Sequence, residues 1–135
     1  MKTHRSYLHV IQKLTTAGVT VGMAHITGGG ITENLPRILP KNCAAQIEIG
    51  SWPVLLIFDH LRDLGQVSEP EMLRTFNMGI GLIAAIPADK FTRAKNLLEM
   101  CIRDSYGTKQ FAWNAHPGFH PGLFSIHPSG MRCVD

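Results

Sequence analysis

His25, Thr27, Asn34 and Arg37 surround three consecutive glycines in the stretch AHITGGGITENLPRILP, residues 24–40. All four side chains can donate hydrogen bonds, and the arginine fork can grip phosphate or carboxylate at two points. Gly28, Gly29 and Gly30 let the backbone take left-handed dihedrals without a Cβ penalty. Between a strand and a helix start, such a turn can aim several N–H groups at one anion, helped by the positive helix end. The glycines alone leave a second reading open, a tight strand-to-helix turn with close backbone packing. Named phosphate loops do not fit. A Walker loop needs Gly-Lys-Ser/Thr, whereas Ile31 and Thr32 follow Gly30, and the dinucleotide fingerprint needs glycine where Glu33 stands. Taken singly, His25 could be a bonded strand-end residue and Arg37 a solvated one. Together, the flanking donors favour a site for an anionic ligand. The expectation is that the N–H groups of Gly29 and Gly30 face a concave surface shared with Arg37 and Asn77.

The elements that must position these groups follow from periodicity. Tyr7, Val10, Ile11 and Leu14 share one face of a helix over residues 6–17, and Gly18 stops it. Val19, Val21 and Met23 alternate as in a strand. Residues 31–39 read as a short helix or helical turn limited by Pro36. AAQIEIG alternates as a second strand with one wet face. Ser51 as N-cap, Pro53 in the first turn and the stripe Val54, Ile57, Phe58, Leu61, Leu64 predict the clearest amphipathic helix of the chain. Ser68 and Glu71 form a capping box for a helix to about Thr75. IGLIAAI, residues 80–86, is apolar on both faces, like a central strand. Pro87 opens a last helix with Phe91, Ala94, Leu97 and Leu98 inward. The fold class is α+β, a mixed sheet packed with helices.

With 44% hydrophobic and 17% charged residues, the 135-residue chain is globular and large enough for one core. A net charge of +3, with Lys and Arg scattered singly, gives no nucleic-acid footprint. No apolar run reaches membrane-spanning length and no secretory signal is legible, so no membrane partner is expected and the cytoplasm is the expected location. Cys43, Cys101 and Cys133, odd in number and far apart, argue against a disulfide framework and suit a reducing compartment. From about residue 100 the periodicity ends. Residues 103–135, with three His-Pro pairs, read as loop or a poorly ordered tail.

That tail supports a rival function. His116, His120 and His127, with Cys101 and Cys133, are the ligand types of a zinc site, which would make the chain a non-catalytic metal-binding or interaction module. Paired cysteines are missing and the Pro-Gly context offers no rigid support, so this is the weaker reading. A nucleophilic enzyme using Cys43 or Cys101 with a histidine is weaker still, because nothing sets either thiol beside a cation at a helix N-terminus.

The stretches MAHITGGGITENLPRILP and EPEMLRTFNMGIGLIAAIP, in that order, closely resemble the aminoimidazole ribonucleotide synthetase (phosphoribosylformylglycinamidine cyclo-ligase) family of purine biosynthesis, over about residues 5–99. The resemblance implies an enzyme that uses ATP and Mg²⁺ to phosphorylate the amide oxygen of formylglycinamidine ribonucleotide. An internal nitrogen then closes the imidazole ring, releasing ADP and phosphate. It implies a two-domain homodimer in which residues 1–99 are part of the C-terminal domain. Carried over by motif, His25, as the catalytic candidate, and Thr27, Gly28, Gly29, Gly30, Asn34 and Arg37 would line the cleft between domains. Asn77, Gly79 and Gly81 would complete the ribonucleotide or nucleotide site, and no metal ligand is implied in this segment. The family's Ser-Gly-x-His-Ser-Asn-Gly segment is absent, as are the lysine and aspartates for nucleotide and metal. The expectation is therefore a fragment that is inactive alone, with residues 100–135, beginning near MCIRDS, an atypical and foreign or out-of-frame tail.

Overall fold

The computed structural model describes residues 6–47, 49–106, 112–113, 123–126 and 131–133. Five α-helices and six short strands are interspersed among the described residues, so the α+β class holds. The helices are α1 (Leu8–Thr16), α2 (Gly30–Asn34), α3 (Leu56–Gly65), α4 (Glu69–Thr75) and α5 (Phe91–Tyr106). The strands are β1 (Gly22–His25), β2 (Cys43–Ala45), β3 (Leu82–Ala85), β4 (Ala112–Trp113), β5 (Leu123–Ile126) and β6 (Met131–Cys133). The main sheet runs β1-β3-β5-β4, antiparallel between β1 and β3 and parallel across β3, β5 and β4.

β3 is central because all four of its residues are buried. Leu82 and Ala84 face a core built with Leu14, Val19, Ile86, Ala94 and Leu98, which joins α1 and α5 to the sheet. Ile83 faces the opposite core, with Ala24, Ile26, Ile31, Leu35, Trp52 and Ile80. Each large side chain so buried contributes about 1.5–3 kcal/mol, and a strand covered on both faces needs no polar alternation.

Several elements differ from the periodic reading. The strand expected from AAQIEIG is only Cys43–Ala45, and Ile49 lies 58% exposed. Val21 is exposed, because β1 begins at Gly22 and it is Ala24 and Ile26 that enter the core. α3 starts at Leu56, and Ser51 caps nothing. Trp52 explains this: buried to 3% exposure, it donates its indole N–H to the Met78 carbonyl at 3.0 Å. That anchor holds residue 52 in the core, and Leu55 remains extended at φ −71°, ψ 139°. The expected inward stripe of α3 is largely turned out. The helix has no buried residue, and Ile57, Leu61 and Leu64 are exposed beside Leu56, which is 84% exposed. Ser68 does take the N-cap position of α4, but without a side-chain bond, and Glu71 instead accepts from the Thr75 hydroxyl at 3.3 Å.

Within the segment read as loop, α5 continues to Tyr106 and β4, β5 and β6 form short ladders. The cysteine count argues against a disulfide framework, yet one cysteine is bonded. Cys43 is disulfide-bonded, and β2 pairs with β6 in a register that sets Cys43 opposite Cys133. Cysteine count and spacing carry no information on which strands meet, and only the ladder does.

Candidate functional site

β1 and β3 are antiparallel, so the residues that follow β1 and those that precede β3 lie at the same end of the sheet. The Ile26 N–H donates to the Gly81 carbonyl at 2.9 Å and closes that end. Both glycine motifs therefore converge there, although residues 31–76 separate them in the chain. The glycine turn Gly28–Gly30 leaves β1, and the turn Asn77–Gly81 enters β3.

Each turn is braced by an asparagine. Asn34, only 5% exposed, donates its amide to the carbonyls of Gly28 at 3.1 Å and Gly30 at 2.7 Å. The two acceptors fix which end of the amide is nitrogen. Asn77 accepts the Gly79 N–H on its side-chain oxygen at 3.0 Å, and its carbonyl accepts the Ile80 N–H at 2.9 Å. Met78 and Gly79 take φ +50° and +90° inside that turn, which is why glycine follows methionine.

The three glycines of the first turn do different work. Gly30, at φ +57°, is buried, and a Cβ there would collide with the carbonyls of Leu73 and Phe76 at the end of α4. Its N–H donates to the Thr27 carbonyl at 3.1 Å. The expectation that this N–H faces an open surface is thus corrected: it closes the turn. Gly29 has φ +91°, and its carbonyl accepts the Glu33 N–H at 3.0 Å. Gly28 is exposed with open space where a Cβ would stand. Among the described residues, neither the Gly28 nor the Gly29 N–H donates to a backbone carbonyl.

The side chains divide in the same way. His25 and Thr27 are exposed at this end. The His25 ring meets the Tyr7 ring edge-on, with centroids 6.2 Å apart. Arg37 sits in a 3₁₀ turn, Leu35–Ile38, whose Ile38 packs over Gly22 at the start of β1. The strand from Gly22 to His25 is three steps long, roughly 10 Å at ~3.3 Å per residue. Arg37 is exposed and forms no ion pair among the described residues. Among the described residues no hydrogen bond or ion pair joins Arg37 to the glycine turn or to Asn77.

The two motifs are also joined through α2 and α4. Besides Gly30 against the α4 carbonyls, Thr32 donates to the Leu73 carbonyl at 3.4 Å, and Arg74 meets Glu33 at 3.2 Å. That ion pair is largely exposed and contributes at most about 1 kcal/mol, so the shape fit of Gly30 carries the contact. Sequence patterns gave no sign of the Tyr7 contact. Glycines at positions 30 and 81 signal a close approach without saying what approaches.

Among the described residues no group of three His, Cys, Asp or Glu is placed to hold a metal ion. His116, His120 and His127 lie outside the described residues. Cys43, being disulfide-bonded, is no free thiol nucleophile. No helix among the described residues is long and apolar enough to cross a membrane.

Residues 2–102 match the family described as AIR synthase related protein, C-terminal domain. The chain is 49% identical over 128 residues to a phosphoribosylformylglycinamidine cyclo-ligase of Bifidobacterium longum, covering 95% of this chain and 33% of that protein. It is 47% identical over 100 residues to the protein of that name from Bifidobacterium animalis subsp. lactis, covering 74% of this chain and 29% of the relative. For the Geobacillus kaustophilus protein of that name the figures are 49% over 86 residues, 64% and 25%. The chain thus spans about a third or less of the length of these curated relatives. With both glycine motifs meeting at one sheet end inside the matched segment, the chain belongs to the AIR synthase related protein C-terminal domain family.

Proposed function

We propose that this chain supplies the C-terminal-domain part of a phosphoribosylformylglycinamidine cyclo-ligase site, in which ATP phosphorylates the amide oxygen of formylglycinamidine ribonucleotide before ring closure. The observation that carries this reading is the convergence of the glycine turn and the Asn77–Gly81 turn at one end of β1 and β3, with two glycine N–H groups not used by the backbone. Such donors stabilise phosphoryl oxygens without reorganising, which is where most of the catalytic benefit at a phosphorylated intermediate arises.

Within that site the residues take two parts. His25, Thr27 and the N–H groups of Gly28 and Gly29 contact the anion, with His25 the catalytic donor to the developing charge. Gly30, Asn34, Asn77, Gly79 and Gly81 build the turns that hold them. Arg37 binds further along the ligand, because the 3₁₀ turn carries it toward the start of β1. ATP and Mg²⁺ are the cofactors. Mg²⁺ would be held largely by chain outside this segment. A homodimer in the cytoplasm, acting on small molecules with no nucleic-acid or membrane partner, completes the reading. We further propose that residues 1–99 form the domain proper and 100–135 an atypical segment. The family match ending at residue 102 supports that boundary, while the 128-residue alignment weighs on the other side. Sequencing the native reading frame past Glu99 decides it.

Purified 135-residue chain is expected to bind inorganic tripolyphosphate measurably by calorimetry, and to release no ADP above a buffer control with ATP and substrate. His25→Ala should weaken that binding far more than it lowers the melting temperature. Substrate-dependent ADP release by the chain alone would refute the claim that it is an incomplete site. Equal loss of binding and stability would return His25 to a packing role.

A further inference from the structure

Gly81 is unlike the other glycines of the site, because its φ is not positive and no dihedral requires it to be glycine. Space requires it. A Cβ at position 81 would overlap the Tyr7 hydroxyl and come within 2.6 Å of Cζ and 2.7 Å of Cε2 of that ring. Tyr7 is the half-buried residue just before α1, and the same ring meets the His25 imidazole at 6.2 Å between centroids and 63° between planes. The Gly81 carbonyl accepts the N–H of Ile26, the residue after His25, at 2.9 Å. The tyrosine ring is thereby seated on the backbone that leads into β3 and turned edge-on to the exposed His25 imidazole. An exposed histidine samples several rotamers, and a ring fixed beside it removes some of them.

We infer that Tyr7 is a positioning residue for His25, and that Gly81 is glycine so that the Tyr7 ring can reach it. The inference rests on the reading of His25 as a donor to a bound anion, and it concerns how that donor is aimed. Tyr7 itself does not touch the ligand. Its hydroxyl lies against the Gly81 backbone, and its ring edge faces the His25 imidazole.

The test uses the 135-residue chain, with tripolyphosphate as the probe and histidine side-chain NMR as a second readout. Tyr7→Leu is expected to weaken binding roughly three- to tenfold, the range an edge-to-face aromatic pair supports. Tyr7→Phe should restore wild-type affinity within about twofold, since it keeps the ring. The double variant Tyr7→Leu with His25→Ala should bind no more weakly than His25→Ala alone. Multiplying effects in the double variant would overturn the inference, because Tyr7 would then act without His25. In NMR, an NOE between the Tyr7 ring protons and the His25 imidazole is required in the wild-type chain, and its absence overturns the inference however the variants fold. The His25 χ1 couplings should move toward rotamer-averaged values in Tyr7→Leu and in Gly81→Ala, and unchanged couplings would overturn it as well. If His25→Ala binds tripolyphosphate like wild type, the donor reading fails by itself, and the NOE and couplings still decide whether Tyr7 orients the ring.

Discussion

The end of the sheet where β1 and β3 meet and the helix α3 are both rich in clear sequence signals, yet they end in opposite states. At the sheet end, Gly30 sits against the carbonyls of α4, Asn34 satisfies two turn carbonyls, and Asn77 braces the second turn. Little can change there without leaving a polar group unpaired or an atom overlapped. On α3, Leu56 and Leu64 are 84% and 71% exposed, and the side that does face the domain carries Phe58 and Arg62. A groove of about 90 Å³ lies beneath α3, lined by Trp52, Val54, Phe58, Met72, Leu73 and Met78 with Asp59, Arg62 and Glu69 at its polar positions. The lesson is that a strong amphipathic pattern measures how apolar one side of a helix is, and not whether this domain covers that side. Backbone-level fit at a glycine turn makes the stronger constraint.

That contrast predicts an order of effects on the stability of the chain, readable by thermal and urea denaturation. The largest is expected at Gly30→Ala. An αL conformation forced on alanine and a Cβ driven into two backbone carbonyls together cost about 3 kcal/mol or more. A loss under about 1 kcal/mol would mean that the α2–α4 contact yields easily, and the claimed rigidity of this end would be gone.

Next come the two changes at Asn34. Asn34→Ala leaves two carbonyls without their donor and is expected to cost about 2 kcal/mol. Asn34→Asp should be worse at neutral pH although it keeps the shape, because a carboxylate has no proton to give and would face two carbonyl oxygens. If Asp is tolerated better than Ala, the amide is not the brace described here.

A smaller effect is expected at Gly29→Ala, about 1–2 kcal/mol, since φ is +91° but the obstructing atoms belong to the Glu33 side chain. Any loss of tripolyphosphate binding beyond that predicted from stability would sharpen the case for its N–H as a ligand donor. The smallest is expected on α3. Leu56→Lys and Leu64→Lys should each change stability by less than about 0.5 kcal/mol in this chain, while improving solubility at high concentration. A loss of 2 kcal/mol at either position would break the comparison, because it would mean that α3 is covered after all.

Sequence alone went far where the decisive interactions are local. Residues 6–17 read as a helix and α1 is Leu8–Thr16; the apolar run at 80–86 read as a central strand and β3 is buried throughout. Pro36 ended the helix after the glycine turn as its missing N–H requires, leaving only a 3₁₀ turn beyond Asn34. Glycine and hydrogen-bonding types cluster near one another in the chain, which singled out the candidate residues, and the long shared motifs identified the family.

Their division of labour was decided only in three dimensions. Gly28, Gly29 and Gly30 are equivalent in sequence, but α4 packs against Gly30 alone, whose N–H closes the turn, while among the described residues no backbone carbonyl takes the N–H of the other two. Ser51 has the composition of an N-cap, yet the burial of Trp52 holds the chain out of the helix until Leu56. Gly81 looks like a flexible glycine and is instead a seat for Tyr7, which lies 74 positions earlier in the chain. The physical reason is the same in each case. Local pattern fixes backbone preference and which residues share a face, whereas the atom that comes to rest against that face is chosen by packing between segments far apart in sequence.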